Sequence, residues 1–217
     1  MSKATRYRID FHLAFPFVIL DIRSAFDALL AWARVRELKL DGIIDEDVFR
    51  REIDNLPIRK VPFGEKYFYA ASGPIFTRLS LGTFNFTRKN DLMRYRQLGY
   101  GKEDILAIAN TLEQSSGPYK TYMGDLSLTH TYTVSYVVDV TDYKVFEKLL
   151  YNIRYIGKKR NLGFGKVKYI EKKTTDEPIV RTVPVESGLK YEDPIFSMPI
   201  KPPYWEGEKY LCGMGKL

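Results

Sequence analysis

The sequence predicts an α+β fold: a ferredoxin-like, RRM-like β-α-β-β-α-β unit with a large insertion in its middle and a C-terminal extension. Three observations carry this. A period-two pattern gives way to a period-3.6 pattern near the N-terminus. A β-branched strand, an amphipathic helix and another strand follow one another between residues 129 and 170. One or two strands fit between these groups. The same order suits a three-layer α/β domain, but the chain has too few helices for a doubly wound sheet.

In residues 5–13, Tyr7, Ile9, Phe11 and Leu13 alternate with Arg8, Asp10 and His12, which marks a half-buried strand. Residues 24–40 read as a helix. Phe26, Leu29, Leu30, Ala33 and Leu40 share one stripe that Glu37 interrupts, Ser24 suits an N-cap, and Gly42 follows the end. A short helix over 45–56 stops at Pro57. Residues 66–70 and 79–86 read as strands on either side of Gly73-Pro74. Arg88, Lys89, Arg94 and Arg96 follow, interleaved with Tyr95 and Tyr100. Residues 102–114 suit a further short helix. Residues 129–140 form one continuous β-branched strand pattern. Thr141 or Asp142 caps a helix whose stripe is Tyr143, Phe146, Leu149, Leu150 and Ile153, and residues 166–170 make the last strand. Residues 1–175 thus form the domain, with the insertion at about 57–128. Residues 176–217, rich in proline, are expected to pack on its body as a tail, a strap or a small hairpin.

Composition bounds the function. With 45% hydrophobic and 28% charged residues, the chain is globular rather than disordered. Its apolar runs are too short to span a bilayer, and the N-terminus lacks the apolar region of a secretory signal, so a soluble, cytoplasmic protein is expected. One cysteine excludes an internal disulfide, and two histidines beside it make a poor zinc site, so no cofactor or metal is expected. The net charge of +7 points to an anionic partner, nucleic acid before membrane surface.

That charge has an address. Between residues 154 and 173 stand eight basic side chains and one acid, a local excess equal to the net charge of the whole chain. The segment Gly157, Lys158, Lys159, Arg160, Asn161, Leu162, Gly163, Phe164, Gly165, Lys166 joins the last helix to the last strand. Glycines there let the backbone approach a ligand and expose its N–H groups to anions. The cations suit phosphates, and Phe164 suits either stacking on a base or packing inward. No Walker spacing is present. Residues 162–169 partly echo the RNP1 pattern, but RNP1 does not directly follow a helix, as this segment does.

A helix, a basic glycine-rich loop of this form and a final strand resemble the signature of the RAMP superfamily of CRISPR-associated RNA-binding proteins. The segment Phe26-Asp27-Ala28-Leu29-Leu30-Ala31-Trp32-Ala33 after a first strand, with Tyr69-Ala70-Ala71-Ser72 further on, is similar to the type IV Cas-five-like subunit. The resemblance spans about residues 6–40, 66–90 and 130–172. It implies a RAMP ferredoxin-like fold and a subunit that holds the 5′ handle of a CRISPR RNA. It also implies that the subunit caps a filament of Cas-seven-like backbone subunits and contacts the large subunit of the effector complex, which helps recognise target DNA. It places RNA binding at residues 157–166. By position alone, Arg88, Lys89, Arg94 and Arg96 belong to a thumb that reaches over the RNA.

Some relatives in that superfamily cut RNA, which without metal needs a base for the 2′-OH proton and an acid for the leaving oxygen. His12 and His130 are the histidines available, and isolated strand histidines are more often structural. Tyr119 and Lys120 carry no stronger signal, and Asp45-Glu46-Asp47 and Glu103-Asp104 read as solvated helix starts. A non-catalytic RNA-binding subunit is therefore expected. A metal-independent endoribonuclease and a protein–protein module with no RNA are the alternatives.

Overall fold

The structure is a computed structural model and describes residues 4–15, 25–76, 80–88, 101, 103, 122–157, 160, 163–204 and 208–217. Among the described residues the elements are β1 (Thr5–Leu13), α1 (Asp27–Leu40), α2 (Glu46–Ile53), β2 (Lys60–Phe63), β3 (Lys66–Tyr69), β4 (Ile75–Phe76), β5 (Ser80–Arg88), β6 (Tyr122–His130), β7 (Thr133–Val140), α3 (Tyr143–Tyr151), β8 (Val167–Thr174), β9 (Val180–Pro184), β10 (Tyr191–Met198) and β11 (Tyr210–Lys216). They make a mixed helix and sheet protein with antiparallel sheets. The chain divides into two units, residues 1–80 with 129–217, and residues 81–128. β5 and β6 pair as a two-stranded sheet that lies mostly in the second unit.

The first unit is built on a four-stranded sheet ordered β4-β7-β1-β8, with every neighbour antiparallel. Register follows from the period-two pattern of β1. Ile9 lies opposite Tyr136, and Phe11 lies opposite Val134 and Ile170. Slipping this register by one residue would turn the apolar row to the other face. On the face it occupies, Ile9, Phe11 and Leu13 join Val134, Tyr136 and Val138 against Leu30 and Ala33 of α1 and Phe146, Leu149 and Leu150 of α3. Phe26, just before α1, stacks on Tyr136 at 4.8 Å and meets Phe11 edge-on at 5.9 Å. Burying such a ring contributes about 1.5–3 kcal/mol, so the aromatic cluster fixes where the first helix starts.

The other face of the sheet carries charges that are matched. Asp139 accepts bonds from Arg6 at 2.7 Å and Arg59 at 2.9 Å. Arg8 donates to Asp10 at 2.9 Å and Glu177 at 2.8 Å. Beside them Ala70, Val137 and Ile179 are buried together, and Ile179 and Leu217 exchange backbone bonds of 2.9 and 3.2 Å.

Several sequence expectations change in detail. The helix expected from residue 24 starts at Asp27, with no side-chain cap bond at Phe26, and Ser24 lies outside the described residues. Glu37, the polar member of the α1 stripe, is buried because Arg34 donates to it at 2.6 Å and Lys148 pairs with it at 2.5 Å. Residues 129–140 are not one strand. The chain breaks at Thr131, whose Oγ1 donates to Thr133 O at 2.8 Å, and Tyr132 is 81% exposed. Where a strap or hairpin was expected, β9, β10 and β11 form a three-stranded antiparallel sheet ordered β10-β11-β9. That sheet packs tightly at Gly215, where an added Cβ would sit 2.5 Å from Val183 and 2.9 Å from the Lys190 carbonyl.

The C-terminal sheet is joined to α1 through a buried cation. Arg181 is 2% exposed; its Nη1 lies 3.4 Å from Asp27 and also donates to the Tyr69 carbonyl, and its Nη2 donates to Ile200 O at 2.9 Å. Tyr204 donates to Asp27 at 2.7 Å. Burial pushes the Asp27 carboxyl up, while Arg181 and Tyr204 pull it back toward the charged form. Removing one member of a buried ion pair leaves the other charge unpaired, at a cost of about 3–5 kcal/mol. Urea unfolding of Arg181→Met is therefore expected to show a loss of that size, and Arg181→Met with Asp27→Leu to recover much of it.

Asp139 gives a pH prediction. Burial raises its carboxyl, but the bonds from Arg6 and Arg59 outweigh that, and its pKa falls below the usual carboxylate value. A carboxyl depressed in the folded state contributes stability above its unfolded pKa of about 3.9 and loses it as pH falls through the folded value. Chemical unfolding measured at falling pH should show a shallower acid decline for Asp139→Asn than for the parent chain.

Candidate nucleic-acid interface

The glycine-rich loop leaves α3 and returns as β8 over a base closed by backbone bonds. Ile156 N–H donates to Gly165 O at 2.8 Å, Val167 N–H donates to Arg154 O at 2.9 Å, and Tyr155 bridges to Lys166. Ala14 N–H, just past β1, donates to Lys166 O at 2.8 Å. Ile153 and Ile156 are buried and anchor the outgoing limb.

Above this base the backbone adopts conformations that side chains resist. Gly157, Gly163 and Gly165 have φ of 81°, 86° and 65°. The left-handed region costs an ordinary L-residue about 1–2 kcal/mol. A Cβ at Gly163 would meet nothing within 4 Å, so backbone angle rather than crowding selects glycine there. Gly163 N–H donates back to Arg160 O at 3.0 Å and tightens the turn. Phe164 is half-buried, and Lys166 is exposed.

Arg160 turns onto the first helix. Its guanidinium lies 4.5 Å from the Trp32 ring centroid, and Arg36 reaches the same ring at 5.3 Å. Burial and the neighbouring Arg36 charge both lower the Arg160 pKa. Among the described residues, no carboxylate makes an ion pair with Arg36 or Arg160. The sequence alone assigned no binding role to Trp32 or Arg36. Their i,i+4 spacing on α1 was a visible signal that they share a side of the helix, but nothing local ties them to residue 160.

The sequence-selected residues divide. Gly157, Arg160, Gly163, Phe164, Gly165 and Lys166 belong to one loop. Lys158, Lys159 and Asn161 lie outside the described residues, as do Lys89, Arg94 and Arg96, while Arg88 ends β5. The basic cluster over 154–173 is not a single patch. Lys172 faces α3, where it donates to Glu147 and to Tyr143 at 3.0 Å, and Lys173 lies 3.9 Å from Asp10. Strand alternation causes this split, because successive side chains of β8 take opposite faces.

His12 lies on the sheet face away from the helices, stacked on Tyr169 at 4.1 Å. Its Nδ1 lies 3.3 Å from Thr133 Oγ1 and its Nε2 lies 3.4 Å from Glu171, outside hydrogen-bond geometry. His130 is the last residue of β6. Among the described residues no three His, Cys, Asp or Glu side chains are grouped to hold a metal ion, and no helix is long and apolar enough to cross a membrane.

Among solved structures, the chain is similar to one in the cryo-EM structure of the Type III-B Cmr-beta bound to cognate target RNA. The two share 10% identity with a TM-score of 0.39, and the match covers 79% of this chain and 61% of that one. No curated protein matches. Residues 5–215 match the family model of the CRISPR type IV associated protein Csf3, and the chain therefore belongs to that family.

Proposed function

We propose that this protein is a non-catalytic CRISPR RNA-binding subunit of a type IV effector complex. In this reading it holds the 5′ handle of the RNA at the glycine-rich loop and caps one end of a filament of Cas-seven-like backbone subunits. It also contacts the large subunit, which helps recognise target DNA. The observation that carries the reading is the loop itself. Its base is fixed by backbone bonds, its three glycines turn the chain through left-handed angles, and its cations include an arginine with no carboxylate partner among the described residues. Such a backbone offers N–H groups and positive charge to a polyanion without first ordering the loop's ends.

The sheet order supports the ferredoxin-like reading. A central β1 between β7 and β8, with β4 beyond β7 and helices after β1 and β7, is the arrangement a β-α-β-β-α-β unit makes when all neighbours are antiparallel. The unit 81–128, with its paired β5 and β6, suits the thumb role assigned to Arg88, Lys89, Arg94 and Arg96. Membership of a type IV CRISPR-associated family supports the setting.

A second reading has its own observation. His12, with Tyr169 against its ring and Glu171 near Nε2, has the makings of a metal-independent cleavage site for CRISPR RNA. Labelled repeat RNA incubated with the protein in EDTA is expected to stay intact. Specific cleavage that disappears in His12→Ala would replace the non-catalytic reading with this one.

For the main reading, reversing Lys158, Lys159 and Arg160 to glutamate should weaken RNA binding and reduce the slope of log K against log salt by about 2, at roughly 0.7 per phosphate contact on a single strand. An unchanged slope and affinity would favour the protein–protein module.

A further inference from the structure

We propose that Arg36 and Arg160, set against Trp32, form a phosphodiester-binding notch that carries the RNA path from the glycine-rich loop onto the first helix. The inference rests on the RNA-binding reading and adds to it a named second wall, residues of α1 that no part of the loop pattern predicts. Arg36 and Trp32 stand one helical turn apart, and Arg160 comes to the same indole from the loop between α3 and β8. Each guanidinium gains attraction from the negative face of the ring. That attraction does not remove the repulsion between two like charges brought to one side chain.

Elsewhere in this unit close cations have carboxylates. Asp139 sits between Arg6 and Arg59, and Glu37 sits between Arg34 and Lys148. At Trp32 no carboxylate among the described residues pairs with either guanidinium, and an anion from outside the chain would complete the cluster. Guanidinium groups bind a phosphate with paired, directed N–H donors, which suits a backbone phosphodiester. Trp32 gives the site rigidity and a spectroscopic signal. The ligand class is thus a single-stranded RNA backbone read by charge, not by base sequence.

The test uses the full chain with Trp205→Phe, which leaves Trp32 as the lone tryptophan. Titration with a labelled single-stranded RNA of mixed sequence should change Trp32 fluorescence along the same curve as the RNA label. Arg36→Gln should lower affinity about fivefold to tenfold and reduce the salt slope by about 0.7, the value for one phosphate contact. Arg36→Lys should keep the slope and lose part of the affinity. Circular dichroism melts of each variant confirm that the fold is intact. Parent-like affinity and slope in Arg36→Gln, beside a clear loss in the charge-reversed loop, would remove the notch and leave the RNA reading standing. Unchanged binding in both would remove the notch together with the reading it rests on.

Discussion

The buried pair of Arg181 and Asp27 is the constraint on which the arrangement of this protein turns. An arginine at 2% exposure is tolerated because its donors are directed at Asp27 and at the Tyr69, Thr182 and Ile200 carbonyls. These partners belong to the start of α1, the end of β3, β9 and the segment after β10. One side chain therefore fixes the C-terminal sheet against the first helix. Asp27 also lies in the first turn of α1, where a carboxylate is favoured by the helix dipole. Trp32 and Arg36 stand five and nine residues further along the same rigid helix. The helix that carries Trp32 and Arg36 is thus held at its start by the Arg181–Asp27 contact.

Ion pairing sorts the basic residues into two kinds. Arg6, Arg8, Arg34, Arg59, Lys172 and Lys201 face carboxylates and are spent on holding sheet faces and helices in register. Exposed pairs of this sort contribute little each, about 0–1 kcal/mol, and the partly buried ones at Asp139 and Glu37 matter more. In the proposed function, the cations left for a polyanion include Arg160 and Lys166 of the loop, where glycine replaces side-chain packing with backbone geometry. In that proposal, stability and recognition are carried by different cations of the same chain.

Much of the core was legible because it is local. The alternation of Ile9, Phe11 and Leu13 and the stripe of Phe146, Leu149 and Leu150 each identify a buried face without knowledge of the partner. The loop was legible for the same reason, since its glycines and cations are consecutive. Part of what escaped depends on contacts between distant segments. Arg181 reads as a surface residue until its four acceptors are assembled around it. The turn at Thr131 and Tyr132 is hidden in a β-branched run because its cause is one hydroxyl bond to Thr133. β10 resisted reading because its side chains are mostly exposed and Pro194 interrupts it, which leaves no apolar alternation to see. Arg36 and Arg160 are separated by most of the chain, and their meeting at Trp32 is a property of the fold alone.

In the proposed function, the glycine-rich turn between α3 and β8 touches RNA. Ultraviolet crosslinking of the ribonucleoprotein isolated from cells, followed by mass spectrometric mapping of the crosslinked residues, reads that contact directly. The prediction is that nucleotide adducts fall within residues 157–166 and on the adjoining stretch of α1. Adducts confined to other parts of the chain, on a complex that demonstrably holds RNA, would contradict it.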